Sequence, residues 1–395
     1  MAEIFTRERF GNPQVVAVLL LLAFLAQCMW LMRREPIEPA ESARIALGLQ
    51  QWQHGLAAQD PIHSPLYFLI ASSGMLAYRG PQDPASLDGW RWLIRAPWVL
   101  LGLLLGGSLW YVARRLYGNL GGYIALVLFC FSPAMIATSS SFFMAPETGA
   151  LWGVFGSVFT SIAVAHTLYA PRRDLWNWWR ISLLALSLAL SLGSDFSLWI
   201  VFPLGLAFLL YLAPGRRAAA LGVYGASCGI AFMVLLGSYW FRVGAMAEGL
   251  RHAHFLPATP AALAMPESYL SMLERLTRTS PALLILLPLA WLTIAAWPRA
   301  RYFGNLAPLL ISLLLLGLGV MSPHQPGMTL ELAAMPILFV FIAGVLADLL
   351  ETRYRPWVLG AVVGILMAHA MWSLASRGGL FAAGSRSHTS GAFRP

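Results

Sequence analysis

The sequence predicts an all-α integral membrane protein with about 11–12 helical segments in the membrane. The chain has 395 residues, of which 58% are hydrophobic and 11% charged, and its mean hydropathy is +0.68. That composition cannot build a water-soluble surface. Residues 14–32 carry no charge and are long enough to cross a hydrocarbon core of roughly 30 Å at about 1.5 Å per residue. Because lipid offers no hydrogen bonds to the backbone, such segments are expected to be helices.

Similar apolar segments recur along the rest of the chain and predict one polytopic domain over residues 1–374. The segments lie at 64–78, 92–113, 119–137, 148–169, 181–193, 197–213, 219–241, 281–298, 304–321, 331–349 and 356–374. Some are too short to cross alone. Residues 375–395, rich in Gly and Ser, are interpreted as a flexible tail.

The positive charges predict which loops face the cytoplasm. All 26 basic residues are Arg, and many stand as pairs at the ends of apolar segments, which is typical of membrane topology and not of a nucleic-acid-binding surface. If these Arg-bearing turns are cytoplasmic, loops 33–63 and 243–280 lie outside. One segment conflicts with this assignment. If segments 64–78 and 92–113 both crossed the membrane fully, Arg114 and Arg115 would lie outside. Either segment 64–78 crosses only partially, or the charge rule fails there.

Most ionisable residues other than the anchoring arginines fall in the predicted external loops. These residues are Glu35, Glu38, Glu41, His54, Asp60, His63, Glu147, Asp195, Glu248, His252, His254, Glu267 and His324. A transporter more often carries such groups at mid-span and shows internal repeats, and neither pattern is found. The distribution favours a catalytic cavity at one membrane face.

The first external loop contains a predicted interfacial helix. Pro39 suits the first turn of a helix, apolar residues recur at helical spacing from Ile45 to Leu56, and Gly55 is placed to end it. Glu41 then stands in the first helical turn.

In this order of features the chain resembles the polyprenyl-phosphate-dependent glycosyltransferases of the GT-C fold, in particular family 39, with its protein O-mannosyltransferases and aminoarabinose transferases. The matching residues are Ala40-Glu41, where the family has Asp-Glu, then Gly55, and then "HSPL" from His63. "FSPAMIATSSSFFMAPETGALW" has the place of the second external loop, with Glu147 where an Asp is usual. The chain departs from the family at Ala40, where the catalytic Asp is expected.

The resemblance implies a GT-C-like fold and a set of site residues. Glu41 and Glu147, with Glu38 as a substitute, are the predicted catalytic carboxylates, which take the acceptor proton or hold a divalent metal ion; metal dependence stays open. His63, Arg33 and Arg34 are predicted to meet the lipid phosphate.

All of these residues except Glu38 also have a purely structural explanation. Glu41 and Glu147 suit the positive end of a helix macrodipole. His63 could cap the helix that follows it. Arg33 and Arg34 could anchor the first span at the membrane surface.

The predicted activity is transfer of a sugar from a polyprenyl-phosphate donor to a lipid, glycan or protein acceptor on the non-cytoplasmic face of a bacterial inner membrane. The alternative is a non-catalytic protein of the same fold that binds lipid-linked sugar or serves as a subunit of a membrane complex. Partners would then be membrane lipids and the lipid-linked sugar, with no nucleic acid. Sugar, acceptor and oligomeric state are not specified by the sequence.

Overall fold

The structure is a computed structural model of the chain. It describes residues 12–55, 60–81, 83–140, 146–169, 176–256, 258–279, 283–296, 302–322, 330–350 and 355–387.

Within these ranges the chain forms sixteen α-helices and short 3₁₀ turns, with no strand. The helices are α1 (Asn12–Arg34), α2 (Pro39–His54), α3 (Pro65–Ser72), α4 (Pro84–Leu87), α5 (Arg91–Cys130), α6 (Pro133–Ser140), α7 (Pro146–Leu168), α8 (Trp178–Ser194), α9 (Val201–Leu212), α10 (Arg217–Ser238), α11 (Val243–His252), α12 (Pro266–Thr279), α13 (Leu283–Ala296), α14 (Tyr302–Met321), α15 (Leu330–Leu350) and α16 (Arg355–Ser387). The all-α prediction is confirmed.

The long apolar helices match the predicted membrane segments. Six stretches are long and apolar enough to cross a membrane, and five shorter apolar helices accompany them within the described residues. One of the six, Pro84–Cys130, contains two crossings, because α5 reverses at Gly118, whose φ of +78° suits glycine. A Cβ at Gly106 would lie 2.8 Å from the Phe129 ring, so the two arms run side by side.

The open question about segment 64–78 is answered by the length of α3. This helix has eight residues, followed by a 3₁₀ turn at Ser73–Met75, and at about 1.5 Å per residue it cannot cross the hydrocarbon core. The start of α5 then lies beside the end of α1, where the Arg91 guanidinium donates to the Arg33 carbonyl at 2.9 Å. Segment 64–78 is therefore too short to be a full crossing, and the hairpin at Gly118 returns the turn at Arg114 to the end of the bundle at which α1 begins.

The predicted interfacial helix is present as α2. It begins at Pro39 and ends at Gly55, which adopts the left-handed conformation with φ of +60°. Ile45 and Leu49 are buried, whereas Trp52 is exposed. Gly48 brings α2 against α3, since a Cβ there would lie 2.3 Å from the Phe68 carbonyl oxygen. The helix is thereby fixed on the partial crossing.

The centre of the bundle is α15, which is buried continuously from Leu330 to Ala347. It packs against α5 and α14. Apolar helices buried on all sides are the expected core of a polytopic protein.

Small residues bring α7 and α8 into close contact. Gly149, Gly153 and Gly156 face Ser194, Ser191 and Ser187, respectively. Small residues at such spacing let two helix backbones approach closely in a membrane.

Replacing Gly153 by Ala is expected to destabilise the protein by about 1–2 kcal/mol, because the added methyl group would meet the Ser191 backbone nitrogen at 2.5 Å. Thermal unfolding of the purified protein in detergent measures the effect. Gly222→Ala is the matched control, since a Cβ at Gly222 meets nothing within 4 Å. Equal melting temperatures for the two variants would contradict the close approach of α7 and α8.

The predicted domain boundary at 374 does not coincide with a helix end. α16 continues to Ser387, so residues 375–387 of the predicted tail have a helical backbone. The predicted loop 243–280 contains α11 and α12.

Candidate functional site

The end of the bundle at which α1 terminates, here called the outer end, gathers several loops. The loop before α3 is joined to the α8–α9 connection, because the amides of Ser64 and Phe196 donate to the carbonyls of Gly193 and Ile62 at 3.2 and 2.9 Å. The amide of His254 donates to the Pro61 carbonyl at 2.7 Å. Residues far apart in sequence therefore meet around the loop before α3.

A buried ion pair joins α2 to α5 at this end. Nε of Arg95 donates to Oε1 of Glu41 at 2.9 Å, and Nη2 donates to Oε2 at 2.8 Å. Glu41 is 1% exposed and Arg95 is 2% exposed. The same guanidinium donates to the carbonyls of Glu35 and Pro36 at 3.0 and 3.1 Å. Arg95 thus binds both the start of α2 and the turn that leads into it.

This pair bears directly on the role predicted for Glu41. Glu41 does stand in the first turn of α2, as predicted. Each of its oxygens accepts a hydrogen bond from Arg95 in a bidentate arrangement, which is a strong geometry for guanidinium and carboxylate. The ion pair therefore gives Glu41 a structural role. Its catalytic role stays a prediction.

A second carboxylate holds His63. Oδ1 of Asp60 accepts hydrogen bonds from the amides of Ile62 and His63 at 2.8 and 2.9 Å, and it lies 3.1 Å from Nδ1 of His63. Burial alone would raise the pKa of Asp60, but these hydrogen bonds and the charge of His63 outweigh it and lower the pKa to about 2. Asp60 is therefore ionised across the physiological range.

Tyr67 lies beside the Asp60–His63 pair and also contacts one residue of α2 and one of α5. Its ring stacks on His63 with centroids 4.5 Å apart and on Trp98 with centroids 5.5 Å apart. Nη1 of Arg44 lies 3.3 Å from the Tyr67 hydroxyl oxygen. Trp98 follows Arg95 by about one turn of α5. We call Glu41, Arg44, Asp60, His63, Tyr67 and Arg95 the outer polar cluster.

The residue that caps the N-terminus of α3 is Ser64 and not His63. The Ser64 hydroxyl accepts from the Leu66 amide at 3.2 Å and is the N-cap of α3. The His63 side chain is consequently not needed to start the helix.

The other predicted site residues lie outside the outer polar cluster or outside the described side chains. Glu38 precedes α2, is exposed, and makes no capping hydrogen bond. Arg34 lies over the Trp30 ring at 4.0 Å, an arrangement that suits a membrane anchor. Glu147 is the second residue of α7, but its side chain lies outside the described residues, and His324 lies outside them altogether.

Arg33 borders a cavity of about 360 Å³ at the outer end of α1. Its lining is Met29, Met32, Arg33, Asp88, Gly89, Arg91 and Trp92. Arg91 is paired with Asp88 there.

No group of three or more His, Cys, Asp or Glu side chains that could hold a metal ion occurs among the described residues. Two further acids, Asp195 and Glu331, are buried. Asp195 accepts from the Ser197 amide at 2.8 Å and thereby caps the turn before α9.

Sequence reasoning missed Arg95 and gave no role to Arg44 or Asp60. Arg95 lies within the apolar segment 92–113, and an arginine at such a position requires a buried partner, which was the available signal. Asp60 was recognised as external but not paired with His63, three residues later.

The helices and their apolar spans define a polytopic membrane protein. Among solved structures, the chain is similar to ArnT from Cupriavidus metallidurans bound to undecaprenyl phosphate, with a TM-score of 0.62 and 15% sequence identity over 92% of this chain. It is also similar to the apo state of the same protein, with a TM-score of 0.60 and 15% identity over 91% of this chain. In both comparisons this chain spans 64% of the length of ArnT. No protein-family model and no curated protein matches the sequence.

Proposed function

We propose that this chain is a membrane glycosyltransferase that takes a sugar from a polyprenyl-phosphate donor and passes it to an acceptor at the non-cytoplasmic face of a bacterial inner membrane. The observation that carries the proposal is the fold, which the chain shares over 92% of its length with a protein whose structure holds undecaprenyl phosphate. The outer polar cluster supports it, because it places ionisable groups beside apolar helices at one end of the bundle.

The transfer needs a base for the acceptor hydroxyl and positive charge or hydrogen-bond donors for the departing phosphate. Glu147 and Glu41, with Glu38 in reserve, are the proposed carboxylates. His63, Arg33 and Arg34 are proposed to meet the phosphate. A divalent metal ion held by the carboxylates would help to balance the phosphate charge. The polyprenyl tail would lie in an apolar groove between helices, and the acceptor would be a lipid, a glycan or a protein.

A second candidate is a non-catalytic protein that binds the lipid-linked sugar without transferring it, alone or as a subunit of a membrane complex. It is favoured by the pairing of both Glu41 oxygens with Arg95 and by Ala40 at the position where the resembling family has its Asp.

The experiment that tests the proposal compares Glu147→Gln and Glu41→Gln with the unmodified protein in nanodiscs that contain undecaprenyl-phosphate-linked sugars. Release of undecaprenyl phosphate is the readout. We expect the loss of a catalytic carboxylate to lower turnover by about 10²–10⁴-fold, the usual contribution of a general acid or base. Glu248→Gln is the matched control, since Glu248 is a half-exposed carboxylate on α11.

Because Glu41 is also part of a buried ion pair, the melting temperature of Glu41→Gln is measured alongside its turnover. Turnover that is the same in Glu147→Gln, Glu41→Gln and Glu248→Gln would refute the proposed carboxylates. Binding of undecaprenyl phosphate without turnover of any donor would favour the second candidate.

A further inference from the structure

Of the carboxylates proposed as catalytic, Glu41 is the one that belongs to the outer polar cluster, and its pairing with Arg95 occupies both of its oxygens. Both Glu41 oxygens accept from Arg95, and the residue is almost fully buried. A carboxylate held in this way has both oxygens committed to a neighbouring guanidinium. The cluster contains another group with suitable chemistry, the imidazole of His63.

The contacts of His63 fix which of its nitrogens can take a proton. Because Asp60 is ionised, its Oδ1 can only accept a hydrogen bond, and Nδ1 of His63 must therefore be the donor across their 3.1 Å contact. In the neutral ring the proton is then on Nδ1, and Nε2 carries the lone pair. Nε2 has no hydrogen-bond partner in the part of the chain that the structure describes.

The ring is also held rigidly. It is 3% exposed, stacks on Tyr67, and meets the edge of Phe68 with centroids 6.3 Å apart. Asp60 is itself fixed by the amides of Ile62 and His63. A carboxylate that orients an imidazole, and stabilises it once it is protonated, is the arrangement that makes histidine an effective general base.

We propose that His63 is the general base that activates the acceptor hydroxyl, and that Asp60 is the residue that positions it. This inference rests on the proposed function; it gives His63 the base role proposed above for the carboxylates, in place of the phosphate-binding role proposed for His63. As the acceptor oxygen bonds to the anomeric carbon of the sugar, its proton passes to Nε2 of His63. The bond between the anomeric carbon and the phosphate oxygen breaks, and its electron pair leaves with the polyprenyl phosphate.

The two roles for His63 predict opposite dependences on pH. A base must be neutral, so turnover at saturating donor should fall as the pH is lowered and His63 becomes protonated. A phosphate ligand must be protonated, so the donor KM should rise as the pH is raised. The other ionisable groups on the elements around the loop are Arg44 and Glu41 on α2, Arg95 on α5, Asp195 before α9, and His254, whose amide contacts Pro61.

The test measures kcat and KM for undecaprenyl-phosphate-linked sugars between pH 5 and 9. His63→Gln is expected to lower kcat by about 10²–10⁴-fold and to remove the acid limb, with little change in the donor KM. Asp60→Asn is expected to lower kcat with KM unchanged, since the ring loses the carboxylate that orients it. A His63→Gln protein that still melts cooperatively and binds undecaprenyl phosphate establishes that its loss of turnover is not a loss of fold.

Two histidine variants serve as controls. His252→Gln removes an exposed histidine whose Nδ1 lies 3.4 Å from a Glu248 carboxylate oxygen, and it should keep both kcat and the acid limb. His254→Gln tests whether the fall of kcat at low pH is caused by His254 in the neighbouring loop. Turnover that is independent of His63, or a limb that survives in His63→Gln, overturns the inference and leaves the proposed function standing. A wild-type protein without turnover of any donor overturns both.

Discussion

Replacing Arg95 by Met should destabilise the protein by about 3–5 kcal/mol, the largest stability effect that we expect of a single substitution in this chain. The change leaves the buried Glu41 carboxylate without its partner, and an uncompensated buried charge is far more costly than the loss of an exposed ion pair. It also removes the donors to the Glu35 and Pro36 carbonyls, which hold the turn before α2. The melting temperature in detergent should fall accordingly.

The double variant Arg95→Met with Glu41→Leu distinguishes a charge effect from a packing effect. Replacing both members of a buried pair by apolar residues is often nearly neutral, so we expect the double variant to melt above Arg95→Met alone. Arg251→Met is the matched control, because its exposed pair with Glu248 at 3.6 Å should contribute about 1 kcal/mol or less. Equal destabilisation by Arg95→Met and Arg251→Met would show that the Glu41–Arg95 pair does not hold α2 in place.

Replacing Asp60 by Asn should destabilise the protein by about 2 kcal/mol at neutral pH, and the difference should shrink in acid. The folded-state pKa of Asp60, about 2, lies below its ordinary value of 3.8. A lowered pKa contributes stability above the ordinary value, and that contribution is lost as the pH falls from about 4 towards 2. Asp60→Asn lacks the contribution at every pH.

Melting temperatures of the unmodified protein and Asp60→Asn at pH 7 and pH 3 provide the measurement. We expect the two proteins to differ more at pH 7 than at pH 3. Asp83→Asn is the control, since Asp83 also accepts a backbone amide hydrogen bond, from Ser86 at 3.0 Å, but stands at the surface. A difference between wild type and Asp60→Asn that grows in acid would contradict the assignment of an ionised Asp60 beside His63.

Local sequence patterns predicted the helices well. The bounds of α2 follow from Pro39 and Gly55, because proline suits the first helical turn and glycine supports the left-handed residue that ends it. The membrane segments follow from their apolar length. The hairpin at Gly118 and the short α3 together return the turn at Arg114 to the end of the bundle at which α1 begins.

The contacts of the candidate site were not predictable in the same way. Glu41 and Arg95 are 54 positions apart, and only the packing of α2 against the start of α5 brings them together. Sequence spacing shows that Glu41 lies in a first helical turn, but it cannot show that a guanidinium will occupy both oxygens. Asp60 and His63 are three residues apart, so their pairing was within reach of local reasoning. The turn that lets Asp60 accept two amides and face the ring depends on how the loop is held by α8 and by the segment at His254.

The central claim is that this chain transfers a sugar from a polyprenyl-phosphate donor, and the most direct test is turnover by the unmodified protein. Purified protein in nanodiscs is incubated with a panel of undecaprenyl-phosphate-linked sugars, and the undecaprenyl phosphate released is measured against empty nanodiscs. We predict protein-dependent release from at least one donor, strongly reduced in His63→Gln and unchanged in His252→Gln. Tight binding of undecaprenyl phosphate with no release from any donor would contradict the claim.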